Sequence, residues 1–304
     1  MPEIVPFRAL RYDGNHVGSL ADVLAPPRQS LDERQRDALY KQHPANVVRI
    51  AWNREEPGDE IDEPYQRAAE FVRTWRKQGV LTLDPTPAVY LVQQSRQNGG
   101  APFCRHGLLA CVKLDAFDQS GVAKEASLFQ SADEDSPHQD SPHQELQKLV
   151  AATRLNVQPL VAAVTGGGDG DEDGDGDEGG DGDEDGDEVW QRLEACRETS
   201  PAATCLSAEG IRYSVWPIAE TASIQAIDRC WEALPVQLLR GHSLLHALLE
   251  FRRHLEEIEG GLPQEHPANF GMTMLCRPAA GDDVGGPSDV SPQWPNGLAL
   301  RLLE

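Results

Sequence analysis

Pro235-Val236-Gln237-Leu238-Leu239-Arg240-Gly241-His242-Ser243 runs directly into Leu244, Leu248, Phe251, Leu255 and Ile258, and this stretch decides the fold class. Pro235–Leu239 reads as a short strand. The apolar residues after Ser243 alternate steps of four and three, the buried stripe of one long helix. Gly241 stands where the chain must turn from one to the other. Outward from this junction the signals stay mixed. Ser30-Leu31-Asp32-Glu33 has the form of a capping box and opens a helix to about Lys41. Tyr65, Ala68, Val72 and Trp75 keep helical spacing, with Gly79 where a C-terminal glycine belongs. Val89–Gln93 and Gly107–Leu114 read as strands around a turn at Asn98-Gly99-Gly100, and Tyr213–Ile218, Gly271–Leu275 and Leu298–Leu302 as further strands. Interleaved strands and helices predict an α+β (mixed α/β) fold.

The chain has 304 residues, 27 Lys+Arg against 50 Asp+Glu, and a formal net charge of −23. Thirteen of those acids fall between Asp169 and Glu188, so the remainder carries −10. Such a surface repels phosphate backbones and anionic lipid, which argues against nucleic acid and membranes as partners. No apolar run approaches the length of a membrane span. Met1-Pro2-Glu3-Ile4-Val5-Pro6 lacks the regions of a signal peptide, so a cytoplasmic address is expected. Cys104, Cys111, Cys196, Cys205, Cys230 and Cys276 show no zinc-ligand spacing and read as buried or idle thiols.

Gly166–Glu188 is nearly all Gly, Asp and Glu, with no apolar residue to bury, and reads as a disordered acidic tether. It divides the chain into an N-terminal α/β region (1–165), the linker (166–188) and a C-terminal α/β region (189–304) that completes the same fold. Ser131–Gln144 contains a five-residue duplication and reads as a loop, as does the Gly- and Pro-rich Ala279–Pro295. Within the acidic run, Asp171-x-Asp173-x-Asp175-Gly176 and Asp181-x-Asp183-x-Asp185-Gly186 open like calcium loops. Their twelfth positions are Gly182 and Arg192 where a bidentate Glu is required, so a dedicated calcium site is not expected. His138 and His143 lack a third ligand, and His242 and His246, at i and i+4, lack the Glu of the metalloprotease motif. A metal site is therefore not expected, and His242 and His246 read as a partly buried structural pair.

The strand–Gly241–helix junction is the most informative local feature. It directs main-chain N–H groups and the positive end of the helix dipole outward, the makings of an anion or phosphate site. His242 and Ser243 can add side-chain hydrogen bonds and Arg240 a positive charge.

Pro6-Phe7-Arg8-Ala9-Leu10-Arg11-Tyr12, Ala25-Pro26-Pro27, Pro44-Ala45-Asn46-Val47-Val48-Arg49 and Tyr65-x-x-Ala68-Ala69 leading to Trp75 follow one another in a fixed order. After them come Gly79-Val80-Leu81, Ala88-Val89-Tyr90, Arg105-His106-Gly107-Leu108-Leu109-Ala110 and Ala152-Thr153-Arg154-x-Asn156-x-x-Pro159. In this order they resemble the bacterial family known as domain of unknown function 1015, across Met1–Val164 and again from about Tyr213 to Leu275. That family's chains run on past the point where this one stops, which reads as a C-terminally shortened member. Its most polar motif, Ala-Asp-Gly-His-His-Arg-Tyr-Glu, falls on Leu239–His246, where only Gly241 and His242 match. Arg240 replaces its Asp and Leu244 its Arg. Its Pro-Pro-Tyr-Asp turn becomes Pro26-Pro27-Arg28-Gln29, and its Pro-His-Glu segment becomes Ala123-Lys124-Glu125.

The box is similar in outline to that of ParB and sulfiredoxin-like nucleotide-binding folds, some relatives of which transfer phosphate. The resemblance therefore implies a ParB-like mixed sheet with flanking helices. It also implies a site in which Glu125 and His242 are the catalytic candidates and Arg240, Gly241, Ser243, Pro26, Pro27 and Asn156 the ligand-binding ones. A nucleotide with Mg²⁺ is the implied cofactor if activity survives. Because most ionisable residues of the motif are replaced, the expected function is a degenerate, non-catalytic binding or assembly module. Its partner would be a small phosphorylated ligand or a protein. Two alternatives remain: a phosphotransferase-like enzyme at the same junction, and an interaction protein that works through its acidic linker.

Overall fold

The computed structural model describes residues 3–96, 103–117, 142–164, 193, 199–207, 210–232, 236–276 and 294–303. The Asn98–Gly100 turn, Glu125, His138, the acidic run with its calcium-like loops, and nearly all of Ala279–Pro295 lie outside the described residues.

The fold is built on β5 (Phe103–Lys113), which carries an unbroken buried run from Gly107 to Val112. A strand apolar at consecutive positions is one covered on both faces. Leu109 and Cys111 point into one apolar core, and Leu108, Ala110 and Val112 into a second. β4 (Val89–Arg96) does the same, with Tyr90 and Val92 on one side and Val89 and Leu91 on the other. Both strands outrun their apolar centres because the antiparallel ladder continues through polar pairs to Arg96 opposite Phe103.

Seven strands run in the order β10 (Val236–Arg240), β7 (Leu160–Val164), β11 (Phe270–Cys276), β5, β4, β9 (Arg212–Ile218), β8 (Ala203–Leu206). β1 (Ile4–Val5) completes the eight-stranded sheet, pairing with β5 beyond the end of β4. The β7–β11 pair is parallel and the others are antiparallel. Strands from the two sides of the acidic run alternate: β7 sits between β10 and β11, and β4 and β5 between β11 and β9.

One face of the sheet is covered by the N-terminal layer. Besides β2 (Leu10–Tyr12) and β3 (Leu81–Leu83), that layer holds the short helices α1 (Gly14–Val17), α2 (Leu20–Val23) and α4 (Val48–Ala51) and the longer α3 (Glu33–Gln42) and α5 (Glu63–Gln78). α5 buries Ala68, Val72 and Trp75 on one stripe and ends at Gly79, whose φ of 75° closes the helix in the left-handed conformation. α3 starts two residues later than the Ser-x-x-Glu spacing predicted. Asp32 accepts from Gln35 N and the Gln35 side chain accepts from Asp32 N, while Ser30 lies in a 3₁₀ turn and donates to Pro27 O.

The opposite face is covered by α7 (Thr221–Glu232) and α8 (His242–Glu259), the long helix. α8 buries Leu244, Leu248, Phe251 and Leu255, but Ile258 is 66% exposed, so the apolar stripe runs out one turn before the helix does. α6 (Pro142–Thr153) begins inside the stretch that read as a loop. Its Leu149 joins one core and its Val150 the other, so it bridges the two helical layers at the edge of the sheet.

A buried polar cluster ties the N-terminal strands to the sheet. Arg11 Nη2 donates to Asp84 Oδ1 at 2.5 Å and Arg11 Nε to Oδ2 at 3.1 Å. Tyr90 OH donates to Asp84 Oδ2 at 2.8 Å and accepts from Ala9 N at 2.9 Å. Burial pushes the Tyr90 phenol well above its ordinary value, with the Asp84 carboxylate adding to the shift. Arg11 and Tyr90 belong to two of the strings that carry the family resemblance, and their place in the fold is structural.

Candidate functional site

β10 pairs with β7 in register from Val236↔Val164 to Leu238↔Ala162, then skips Leu239 so that Arg240 faces Val161. This irregularity breaks the in–out alternation, and both Leu239 and Arg240 line the cavity below. Gly241 follows at φ 99°, ψ 23° as the N-cap of α8. A Cβ there would stand 3.1 Å from Leu160 Cδ2, so both the backbone conformation and the close approach call for glycine. Gly241→Ala is expected to lose about 1–2 kcal/mol of stability from the left-handed conformation alone. Urea unfolding of the two proteins measures the difference.

Around this junction lies a cavity of about 490 Å³. Its floor is Arg240-Gly241-His242-Ser243-Leu244, the first turn of α8 and the two residues before it. One wall is Pro27, Gln29 and Ser30 of the 3₁₀ turn, and another is Gln158 and Pro159 leading into β7. Leu146 of α6 and Trp294 close it. Arg240 supplies a positive charge, His242, Ser243 and the two glutamines supply side-chain donors, and no carboxylate is among the described lining residues. Trp294 is 4% exposed, and its indole N–H finds no acceptor among the described residues. A buried donor without a partner is costly, of order 1–3 kcal/mol, and marks a place where an acceptor belongs.

Five residues named from the sequence, Pro27, Arg240, Gly241, His242 and Ser243, meet around this one cavity. Pro26 stands behind it, its carbonyl accepting from Asn296 Nδ2 at 3.2 Å. Asn156 is not a ligand residue as expected. It is fully buried, with Nδ2 donating to Gln158 O at 2.6 Å and Oδ1 accepting from Met272 N at 2.7 Å. Its amide is consumed in pinning the Gln158 wall to β11. Glu125 lies outside the described residues. Ser30, Gln29, Gln158 and Trp294 were missed. Ser30 read as a helix cap, and a tryptophan in a Gly- and Pro-rich loop was the one available hint of Trp294.

His246 partners a residue other than the one its spacing suggested. Its ring meets that of His143 edge-on, with centroids 4.0 Å apart, so the pair joins α6 to α8. Burial and then the nearby His246 lower the His143 pKa below its ordinary 6.5, against a hydrogen bond to the Ser243 main chain and the Glu250 charge. Among the described residues no group of three or more His, Cys, Asp or Glu could hold a metal ion. The cavity's donor set does not fit Mg²⁺ either, because a hard cation needs carboxylate oxygens, and the described lining offers none.

Fold and site together define a three-layer α+β protein with a donor-lined cavity at a strand-to-helix junction. A family model described as protein of unknown function (DUF1015) matches residues 4–135, and the chain is similar to that family through this region. No curated protein and no solved structure matches the chain. The matched region supplies Pro27, Gln29 and Ser30 to the cavity, while Arg240–Ser243 come from beyond it. No helix among the described residues is long and apolar enough to cross a membrane.

Proposed function

We propose that this chain is a non-catalytic binding module that holds a small phosphate-bearing molecule in the cavity at Arg240–Ser243. One observation carries the reading. In a chain of net charge −23, this cavity gathers an arginine, a helix N-terminus and several side-chain donors, with no carboxylate in its described lining. Helix N-termini favour anions through their N–H groups and dipole, and an arginine fork suits phosphate oxygens. The partnerless Trp294 N–H adds a further donor in the same lining. Binding without turnover follows from what the motif has become. Arg240 and Leu244 stand where the family motif has its acid and its arginine, and phosphoryl transfer depends on cations or metal to offset developing charge.

The test is a thermal-shift series with inorganic phosphate, pyrophosphate, ATP, ADP, CTP and GTP, each with and without Mg²⁺. A ligand at about 100 times its Kd adds about 2.7 kcal/mol, a rise of about 4–5 °C for a chain of this size. The expected result is such a rise with at least one phosphate compound, independent of Mg²⁺ and lost in Arg240→Ala. A flat series on folded protein contradicts the binding reading, and release of phosphate from any nucleotide contradicts the non-catalytic one.

A further inference from the structure

A second cavity of about 300 Å³ adjoins the first, and Gln29, Leu146, Gln158 and Leu244 line both. Its chemistry is different. Leu31, Ala51, Leu149, Val150, Leu155 and Val157 make an apolar surround, and Trp52 provides an aromatic wall. The Arg28 and Arg36 guanidinium groups stand 5.1 Å and 4.9 Å from the Trp52 ring centroid, cation–π contacts that favour this position of the wall. Polar groups interrupt the apolar lining at Arg28, Gln29, Gln158 and Asn296, and of these Asn296 is the most deeply buried. Asn296 is 2% exposed, its Nδ2 is anchored on Pro26 O, and its Oδ1 is buried with no donor among the described residues. The Nδ2 contact fixes which end of the amide is the oxygen. Trp294, whose indole N–H has no acceptor among the described residues, thus lines the first cavity, and Asn296, whose Oδ1 has no donor among them, lines the second, two residues apart on one segment.

We infer that the ligand is amphiphilic: a phosphomonoester whose apolar, ring-sized body carries a hydrogen-bond donor. The phosphate lies at Arg240–Ser243 and the body in the compartment of Trp52 and Asn296. This rests on the phosphate reading above and adds what the rest of the molecule must be. The space is sufficient, since an apolar cavity of about 150 Å³ already accepts a benzene ring. Pockets of a few hundred Å³, apolar with a few placed polar groups, are the usual form of small-molecule sites.

Isothermal titration of the full chain with inorganic phosphate and with 2-, 3- and 4-aminophenyl phosphate tests the inference. The head group is common to all four probes, and the aminophenyl ring supplies the apolar body and the donor. At least one isomer is expected to bind about tenfold or more tighter than inorganic phosphate. That gain should vanish in Leu31→Trp and in Ala51→Leu, which fill the second compartment from two partly exposed positions and leave phosphate affinity unchanged. Circular dichroism of both variants confirms folding, and either one suffices. If phosphate binds and no isomer binds more tightly, the amphiphilic ligand is wrong while the phosphate site stands. A gain that survives in a folded variant places the body elsewhere and also overturns the inference. If none of the four binds, the phosphate reading and the inference fail together.

Discussion

Asp84→Ala is expected to cost about 3 kcal/mol of folding stability, the largest loss foreseen for any single polar side chain in the molecule. Asp84 and Arg11 are 10% and 20% exposed, and the carboxylate takes hydrogen bonds from Arg11 Nε and Nη2 and from Tyr90 OH. Removing it strands a guanidinium with little access to water and takes away the nearer of two acceptors of a buried phenol, leaving Phe7 O at 3.1 Å. Breaking one partner of a fully buried ion pair costs about 3–5 kcal/mol, and the residual exposure of Arg11 places this case at the lower end. Tyr90→Phe removes only the hydroxyl and should cost about 1 kcal/mol. Urea unfolding with unchanged m-values checks both. A loss below 1 kcal/mol for Asp84→Ala would show that the cluster contributes packing rather than electrostatics.

Arg240→Glu should weaken binding of a phosphate-bearing ligand by about 100-fold while leaving the melting temperature of the free protein nearly unchanged. A charge-assisted hydrogen bond contributes about 1.5–3 kcal/mol, and reversal of the charge adds repulsion to its loss. Arg240 itself is exposed at the end of β10, so the fold does not depend on it. The measurement is the ratio of dissociation constants for the two proteins at one salt concentration, because screening weakens exposed pairs. An affinity within threefold of the parent would remove Arg240 from the site. Gly241→Ala should show the opposite pattern, a loss of stability first.

Much of the fold could be read from period and punctuation. The stripe from Leu244 to Leu255 and the Gly79 stop follow from local rules that tertiary context did not override. The strands Val89–Gln93 and Gly107–Leu114 were legible because both sheet faces are covered, which leaves apolar runs that cannot be mistaken for polar loops. Their extension to Arg96 and Phe103 was not legible, because polar ladder pairs carry no hydrophobic signal. α6 was hidden for a related reason. Its polar first turn continues a duplicated loop-like string, and its buried residues Leu149 and Val150 serve two different cores instead of one stripe.

The cavity was legible only in its floor. Arg240-Gly241-His242-Ser243 are contiguous, so strand, turn and helix signals converge on them. The walls come from Pro27–Ser30, Gln158 and Trp294, and no local pattern links positions so far apart in sequence. Asn156 shows the converse error. An asparagine in a resembling string invites a ligand role, but its environment at zero exposure, between Gln158 O and Met272 N, assigns it to the scaffold.

The central claim is that the strand–Gly241–helix junction holds a phosphate group, and the most direct test is to locate an anion there. Crystals of the full chain soaked in tungstate, a phosphate mimic with strong anomalous scattering, give the answer in one difference map. The account predicts a peak within hydrogen-bonding reach of Arg240 and the first turn of α8, absent from crystals of Arg240→Glu. Well-diffracting parent crystals with no peak in that cavity, or with tungstate bound only elsewhere, would contradict it.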